Sequence, residues 1–329
     1  MIKIVLKSLR KIYTKILPAP KLPELEFERD AETVSTMMFN LLASDVPCMI
    51  ARLGYTELQT MVNYLGIKQG PEIVKYIKGK ALDWWWHPDR LNAIKILSGF
   101  FPPTSDCVSK FCELMLEDTK CVDILGSWVK EEYYVQDYLI NARKVQLSLL
   151  EPYFSTNPWT RVLKGKNVLV VHPFAETIEK QYQNRRLLFD NQDVMPDFNL
   201  FTITAVQSIG GELTDFSDWF EALQWMEDEI DKIKYDICLI GCGAYGFPLA
   251  AHVKRQGKKA VHLGGALQLL FGIRGKRWED PNLGVSMGVP PYFYLNLMND
   301  YWVRPGDNLR PHGADNFEKA HQTEGGCYW

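Results

Sequence analysis

Residues 235–265 constrain the fold of this chain more than any other stretch. They carry the signals of a strand, a glycine turn, a helix, a second strand and a second glycine turn, at 235–240, 241–246, 247–256, 259–263 and 264–265. A turn of this kind points backbone N–H groups at an anion, and the helix N-terminus behind it adds roughly half a positive charge. The stretch therefore predicts a β-α-β unit with a diphosphate site, which favours a nucleotide ligand.

The first turn has the spacing Gly-x-Gly-x-x-Gly, which is also the spacing of dinucleotide-binding turns. Such a site needs an Asp or Glu at the end of the next strand to hold the ribose hydroxyls. That strand ends here in His262-Leu263-Gly264-Gly265, without a carboxylate. An NAD(P)-dependent oxidoreductase is therefore an alternative rather than the first prediction. A second alternative is that the glycines only allow a helix and a strand to pack closely.

The rest of the chain alternates strand and helix signals. Further strands are predicted at 46–52, 121–125, 167–171 and 200–205, with a helix over 131–150. Near-continuous apolar strands separated by helices predict an α/β fold, with a mostly parallel, Rossmann-like sheet covered by helices on both faces. We predict a single catalytic domain over 31–285, a helical and loop-rich insertion at about 66–118, and a loop-rich C-terminal extension over 286–329.

Residues 1–17 predict a basic amphipathic helix, followed by a proline-rich linker over 18–30. The cations of the helix are Lys3, Lys7, Arg10, Lys11 and Lys15, and its apolar residues recur at helical spacing. Such a helix suits the surface of an anionic membrane, which would make the protein cytoplasmic and peripheral to the inner face of the cell membrane. The alternative is a helix that packs on the protein's own core with its basic face in water. The net charge of −3 gives no reason to expect nucleic acid as a partner.

Several polar residues follow the predicted strands, at the edge where open parallel sheets bind ligands. Arg52 ends the first strand, Glu57 lies in the helical turn after it, and His172 follows a later strand. Each also has a structural interpretation, because Arg52 and Glu57 could pair across a helix start and His172 could stabilise a turn. Glu176 is a weaker candidate, since a carboxylate near a helix N-terminus is favourable in any protein.

Residues 52–58, Arg-Leu-Gly-Tyr-Thr-Glu-Leu, together with 236–243 and 261–264, resemble the GT-D-type glycosyltransferases. These bacterial enzymes transfer a sugar from a nucleotide-sugar donor during surface glycan or glycoprotein assembly. Their N-terminal signature is close to Arg-Phe-Gly-Asp-Gly-Glu-Leu, and a later strand, glycine turn, helix and strand follow it. In that signature an Asp and a Glu resemble a metal-binding pair. Glu57 keeps the Glu, whereas Tyr55 stands at the Asp position.

The resemblance implies a nucleotide-sugar-dependent glycosyltransferase of bacterial polysaccharide or glycoconjugate biosynthesis, with a glycan or lipid-linked acceptor. The predicted donor-binding residues are Gly241, Gly243, Ala244, Tyr245, Gly246, Gly264, Gly265, Arg274 and Arg277. Glu57 or His172 would be the general base, and Arg52 would stabilise the leaving diphosphate. Mg²⁺ or Mn²⁺ is a candidate cofactor with Glu57 as its ligand, and the basic loop at 274–277 could replace it. A non-catalytic accessory protein of membrane glycan assembly is the remaining alternative.

Overall fold

A computed structural model describes residues 2–211, 214–306 and Tyr328. Within these residues, seven parallel strands form one sheet in the order β3-β2-β1-β7-β6-β4-β5. The strands are β1 (Cys48–Ala51), β2 (Ile124–Ser127), β3 (Arg143–Gln146), β4 (Asn167–His172), β5 (Asn199–Thr204), β6 (Ile237–Ile240) and β7 (Lys259–His262). This confirms the predicted α/β class with a parallel, Rossmann-like sheet.

The α-helices of the described residues differ widely in length. They are α1 (Ile2–Ile16), α2 (Ala31–Ala43), α3 (Tyr55–Gln69), α4 (Ile73–Ile77), α5 (Pro88–Ser98), α6 (Ser105–Thr119), α7 (Ala175–Gln183), α8 (Trp219–Asp231), α9 (Gly246–Arg255), α10 (Leu267–Leu270) and α11 (Phe293–Leu297). Side chains of Asp30, Thr104 and Asp218 cap α2, α6 and α8 by accepting backbone N–H groups of the first turn. No helix within residues 2–211 and 214–306 is long and apolar enough to cross a bilayer.

The strands bury both of their faces because their side chains alternate between two apolar layers. Met49 and Ala51 of β1 face a core shared with α3, α6, α8 and α9, while Cys48 and Ile50 face a core shared with α2, α7 and α10. The helix after β4 therefore lies on one face of the sheet and the helix after β6 on the other. This change of face leaves a crevice outside the carboxyl ends of β4 and β6.

The predicted helix over 131–150 is wrong in the structure. The 3₁₀ helices Lys130–Tyr138 and Leu147–Leu150 flank β3 there. Within β3 the buried residue is Val145, so this edge strand lacks the apolar run by which a buried strand is recognised. Its position is fixed by backbone pairing on both sides, since it bonds to β2 and to Glu28 of the predicted linker.

The segments predicted to lie outside the main fold contact it closely. The stretch predicted as an insertion, 66–118, holds the end of α3, all of α4 and α5, and all but the last residue of α6. Helix α6 packs in the core beside the sheet. From the predicted C-terminal extension, Trp302 is buried in the opposite core. Residues 307–327 and 329 of that extension lie outside the described residues.

Candidate active site

A cavity of about 470 Å³ opens at the carboxyl edge of the sheet. Its wall comes from the turns after β1, β4, β5, β6 and β7, from Trp128 after β2, and from α5. Most predicted site residues lie in this wall, namely Arg52, Glu57, His172, Gly241, Gly243, Ala244, Tyr245, Gly264, Gly265 and Arg277. The fold therefore brings together turns that are up to two hundred residues apart in sequence.

Three predicted residues are placed elsewhere. Gly246 packs beneath the His262 ring, where an added Cβ would overlap the imidazole, so this glycine allows close helix–strand packing rather than contact with a ligand. Arg274 is absent from the described wall of the cavity, and its backbone N–H donates to Val303 O at 2.8 Å. Glu176 pairs with Lys180 at 2.6 Å on an exposed face of α7.

The glycine turn after β6 has two different requirements for glycine. At Gly241 an added Cβ would lie 2.6 Å from Gly264 O and 2.9 Å from His172 Cδ2, so the three turns after β4, β6 and β7 can meet only without a side chain there. Gly243 has a φ of 58°, and the nearest atom to an added Cβ is Ser98 O at 3.8 Å. Backbone conformation, rather than crowding, therefore selects glycine at Gly243. The turn leads directly into the N-terminus of α9, which favours an anion.

Tyr245 belongs to the wall through its backbone and to the core through its ring. The ring stacks on Trp219, with 4.9 Å between centroids and 8° between planes. Ser208 Oγ donates to Gly99 O at 2.6 Å, so the Tyr245 hydroxyl donates to Ser208 Oγ at 3.1 Å. The side chain thus anchors the glycine turn against α8 and does not reach a ligand.

Arg52 lies between the turns after β7 and β2. Its guanidinium is 5.2 Å from the centroid of the Trp128 ring, and its Nη2 donates to Leu53 O at 3.2 Å. Trp128 Nε1 donates to the same carbonyl at 3.1 Å. The buried carboxylate of Glu132 accepts the Trp128 N–H at 2.9 Å and the Ser127 hydroxyl. Glu132 thereby fixes the turn that holds Trp128 against the arginine.

Glu57 lies half-buried in the first turn of α3. Its carboxylate folds back over Gly54, where an added Cβ would overlap it. This contact gives a physical reason for the glycine three residues before Glu57, because a side chain at residue 54 would displace the carboxylate from its place in the wall of the cavity. Tyr55 is exposed, with its ring centroid 6.2 Å from that of Trp128.

The two histidines of the wall are neutral and carry their protons on different nitrogens. His172 Nδ1 accepts the Phe174 N–H at 2.9 Å, so the proton lies on Nε2. His262 Nδ1 lies 3.3 Å from Ile240 O and must donate to it, which leaves Nε2 as an acceptor. Burial lowers the pKa of both to about 3, helped at His262 by the positive charge of Arg52. His172 is therefore a hydrogen-bond donor, which does not suit it to the predicted role of general base.

The described wall of the cavity carries more positive than negative side chains. Among its described wall residues Glu57 is the one carboxylate, and the arginines are Arg52, Arg90 and Arg277. Within the described part of the chain there is no group of three or more His, Cys, Asp or Glu side chains that could hold a metal ion. Of the described wall residues, Glu57 offers a divalent cation one carboxylate ligand. The three arginines give the described wall an excess of positive charge, which favours an anionic ligand.

A second, polar groove of about 620 Å³ lies between α3 and α5 and shares Arg90 and Ala93 with the first cavity. Gln59 is buried in its wall, where Oε1 accepts from Arg90 Nη2 at 2.9 Å and Nε2 has no hydrogen-bond partner among the described residues. Asp83 lies at its other end and pairs with His87 Nε2 at 3.1 Å. The groove thus extends the site along α3 with side chains suited to hydroxyl groups.

His262, Trp128 and Arg90 are polar or aromatic residues of the wall that were not among the predicted site residues. His262 ends β7 as His172 ends β4, so the same attention to strand ends would have found it. Trp128 follows β2 and could have been chosen in the same way. Arg90 reaches the cavity from the first turn of α5, and no local signal marks it. Comparison of the chain with protein-family models, curated proteins and solved structures gave no match.

Proposed function

We propose that this protein is a nucleotide-sugar-dependent glycosyltransferase of the GT-D kind, acting in bacterial surface polysaccharide or glycoconjugate biosynthesis. The observation that supports it most is the composition of the cavity, where a glycine turn before α9 meets three arginines, with Glu57 as the one carboxylate among the described wall residues. A nucleoside diphosphate is an anion of the kind that arginines and a helix N-terminus bind. The sequence resemblance through Arg52, Gly54 and Glu57 supports the same activity.

In this proposal the diphosphate lies between the 241–246 turn and Arg52. When the bond between the anomeric carbon and the diphosphate breaks, the electron pair stays on the phosphate oxygen. The arginine and the N-terminus of α9 stabilise that charge. Trp128 keeps the guanidinium in place, and Arg277 adds a further positive charge at the rim. In this proposal, these residues stabilise the diphosphate in place of the Mg²⁺ or Mn²⁺ that was considered from the sequence.

Glu57 is the residue best suited to receive the proton of the acceptor hydroxyl. As the oxygen of that hydroxyl attacks the anomeric carbon, its proton passes to the carboxylate, which is the chemistry of an inverting transfer. His172 already carries a proton on Nε2 and can only donate there. The polar groove beside α3 shares Arg90 and Ala93 with the cavity that holds Glu57, and in this proposal it is the route for a hydroxyl-bearing acceptor.

We place the reaction at the cytoplasmic face of the inner membrane, with a glycan or lipid-linked acceptor. The amphipathic α1 supports this placement. The cavity gives no support to an NAD(P)-dependent oxidoreductase. The carboxylate of its described wall, Glu57, follows β1, whereas the ribose of a dinucleotide would need a carboxylate after β7. A non-catalytic accessory role would leave the combination of glycine turn, arginines and Glu57 without a purpose.

A thermal-shift screen tests the proposal, since a ligand that binds the folded state raises the melting temperature. UDP-, GDP-, CMP- and dTDP-sugars are compared with NAD(P), each with and without Mn²⁺. Gly243→Val should abolish the shift caused by the nucleotide sugar. Gly165→Val is the matched control, because Gly165 also has a positive φ and open surroundings but lies away from the cavity. A shift with NAD(P) alone, or an undiminished shift in Gly243→Val, would contradict the proposal.

A further inference from the structure

Helix α1 displays its apolar residues to solvent. Its apolar stripe consists of Ile2, Val5, Leu9, Ile12 and Ile16, which recur every three or four residues and therefore share one face. These side chains are between 43% and 77% exposed. An amphipathic helix normally turns this face toward the core of its own domain. In α1 that expectation fails, because Leu6 is the buried residue of the helix.

Leu6 and three basic residues of α1 contact the domain. They pack on an aromatic cluster formed by Tyr76, Trp84 and Trp85. The guanidinium of Arg10 lies 4.6 Å from the centroid of the Tyr76 ring, and its Nη1 donates to Ala81 O at 3.3 Å. Lys3 and Lys7 lie 5.8 and 6.0 Å from the centroid of Trp85. These cation–π contacts fix the helix with the apolar stripe facing outward.

We infer that α1 attaches the protein to an anionic lipid bilayer by inserting the apolar stripe between the headgroups. This inference goes beyond the proposed reaction and does not depend on it. The chain has no acidic residue before Glu24, so a bilayer with anionic headgroups meets only positive charge along the helix. Lys11 and Lys15 are exposed beside the stripe and are placed to contact those headgroups.

Charge also decides between a bilayer and a second copy of this chain as the partner. Pairing two stripes would bring together two helices with five cations each and no acid. The positive charges of two adjacent helices repel each other and oppose association, whereas the same charges favour binding to an anionic surface. A helix with an apolar face and a basic flank is the form that lies in the plane of a membrane interface.

Co-sedimentation of the full chain with vesicles tests the inference. The vesicles are phosphatidylcholine with or without phosphatidylglycerol, and the variants are Ile12→Ser on the stripe and Ile4→Ser as the matched control. Ile4 is 71% exposed but lies on the Lys11 and Lys15 side of the helix. We expect Ile12→Ser to weaken binding to the anionic vesicles by about tenfold, the factor expected for losing one buried isoleucine side chain. Ile4→Ser should weaken it by about twofold at most, since its side chain gains little burial.

Each other outcome overturns the inference. Equal binding by the two variants would show that the apolar stripe does not contact the bilayer. No binding by the unaltered chain would show that the protein does not attach to such a membrane. If sedimentation velocity showed a dimer that Ile12→Ser dissociates, the stripe would be an interface between copies of the chain. Far-ultraviolet circular dichroism checks that α1 is retained, and nucleotide-sugar binding in the same variants tests the proposed reaction separately.

Discussion

His172 gives the structure a measurable dependence on pH. Burial lowers the pKa of His172 from 6.5 to about 3. The unfolded chain therefore takes up a proton at this residue below pH 6.5, while the folded protein does not until about pH 3. Because the pKa in the folded state is depressed, the free energy of unfolding falls as the pH falls from 6.5 toward 3 and is unaffected above that range. At about 1.4 kcal/mol per pH unit, the contribution of His172 between pH 7 and about pH 5 is a loss of about 2 kcal/mol.

Urea denaturation of the unaltered chain and His172→Asn at those two pH values measures this loss. Asn can accept the Phe174 N–H through Oδ1, as Nδ1 does, and it does not titrate. Burial also raises the pKa of Glu151 to about 8 and of Asp118 to about 6, which opposes the effect of His172. Both carboxyls are present in both proteins, so their contributions cancel in the difference. We expect the free energy of unfolding of His172→Asn, relative to that of the unaltered chain, to rise by about 2 kcal/mol between pH 7 and about pH 5.

If the two free energies of unfolding differ by the same amount at both pH values, the lowered pKa of buried His172 is refuted. That result would mean that His172 takes up its proton near pH 6.5 in the folded protein too, and that the bond from the Phe174 N–H does not fix the tautomer. His172 would then return as a candidate for the general base. His262→Asn gives a parallel test, because the pKa of His262 is lowered to about 3 by burial and by Arg52.

Two further predictions concern the carboxylate of the cavity. Glu57→Gln should lower turnover by about 10²-fold or more if Glu57 is the general base. Glu176→Gln, on the exposed face of α7, should stay within about threefold of the unaltered protein, and equal activities of the two variants would return Glu57 to a structural role. Gly54→Ala places a Cβ where the Glu57 carboxylate lies and should lower turnover less than Glu57→Gln does, because the flexible glutamate side chain can shift but keeps its charge. The double variant should be no slower than Glu57→Gln alone, and additive losses measured with a saturating donor would show that the two residues act independently.

The sheet could be predicted because five of its strands are buried along most of their length, so apolar residues follow one another without interruption. β3 could not, since its place depends on hydrogen bonds to β2 and Glu28 rather than on its own side chains. The same division holds for the site. Arg52, Glu57 and His172 follow strands, and topology alone brings strand ends together. Arg90 comes from α5, and the outward turn of α1 depends on how its cations meet the aromatic cluster, which no helical pattern reveals.

Tyr76 connects two surfaces of the protein that face different environments. Its ring carries Arg10 of α1, and its hydroxyl donates to Asp83 in the polar groove at 2.6 Å. If α1 lies on a bilayer, Tyr76 would hold the Asp83 end of the groove one side chain away from the membrane-bound helix. An acceptor anchored in that bilayer would reach the enzyme by lateral diffusion, a search in two dimensions. Its rate of glycosylation would then follow its mole fraction among the lipids and would fall when inert lipid dilutes it at constant total concentration.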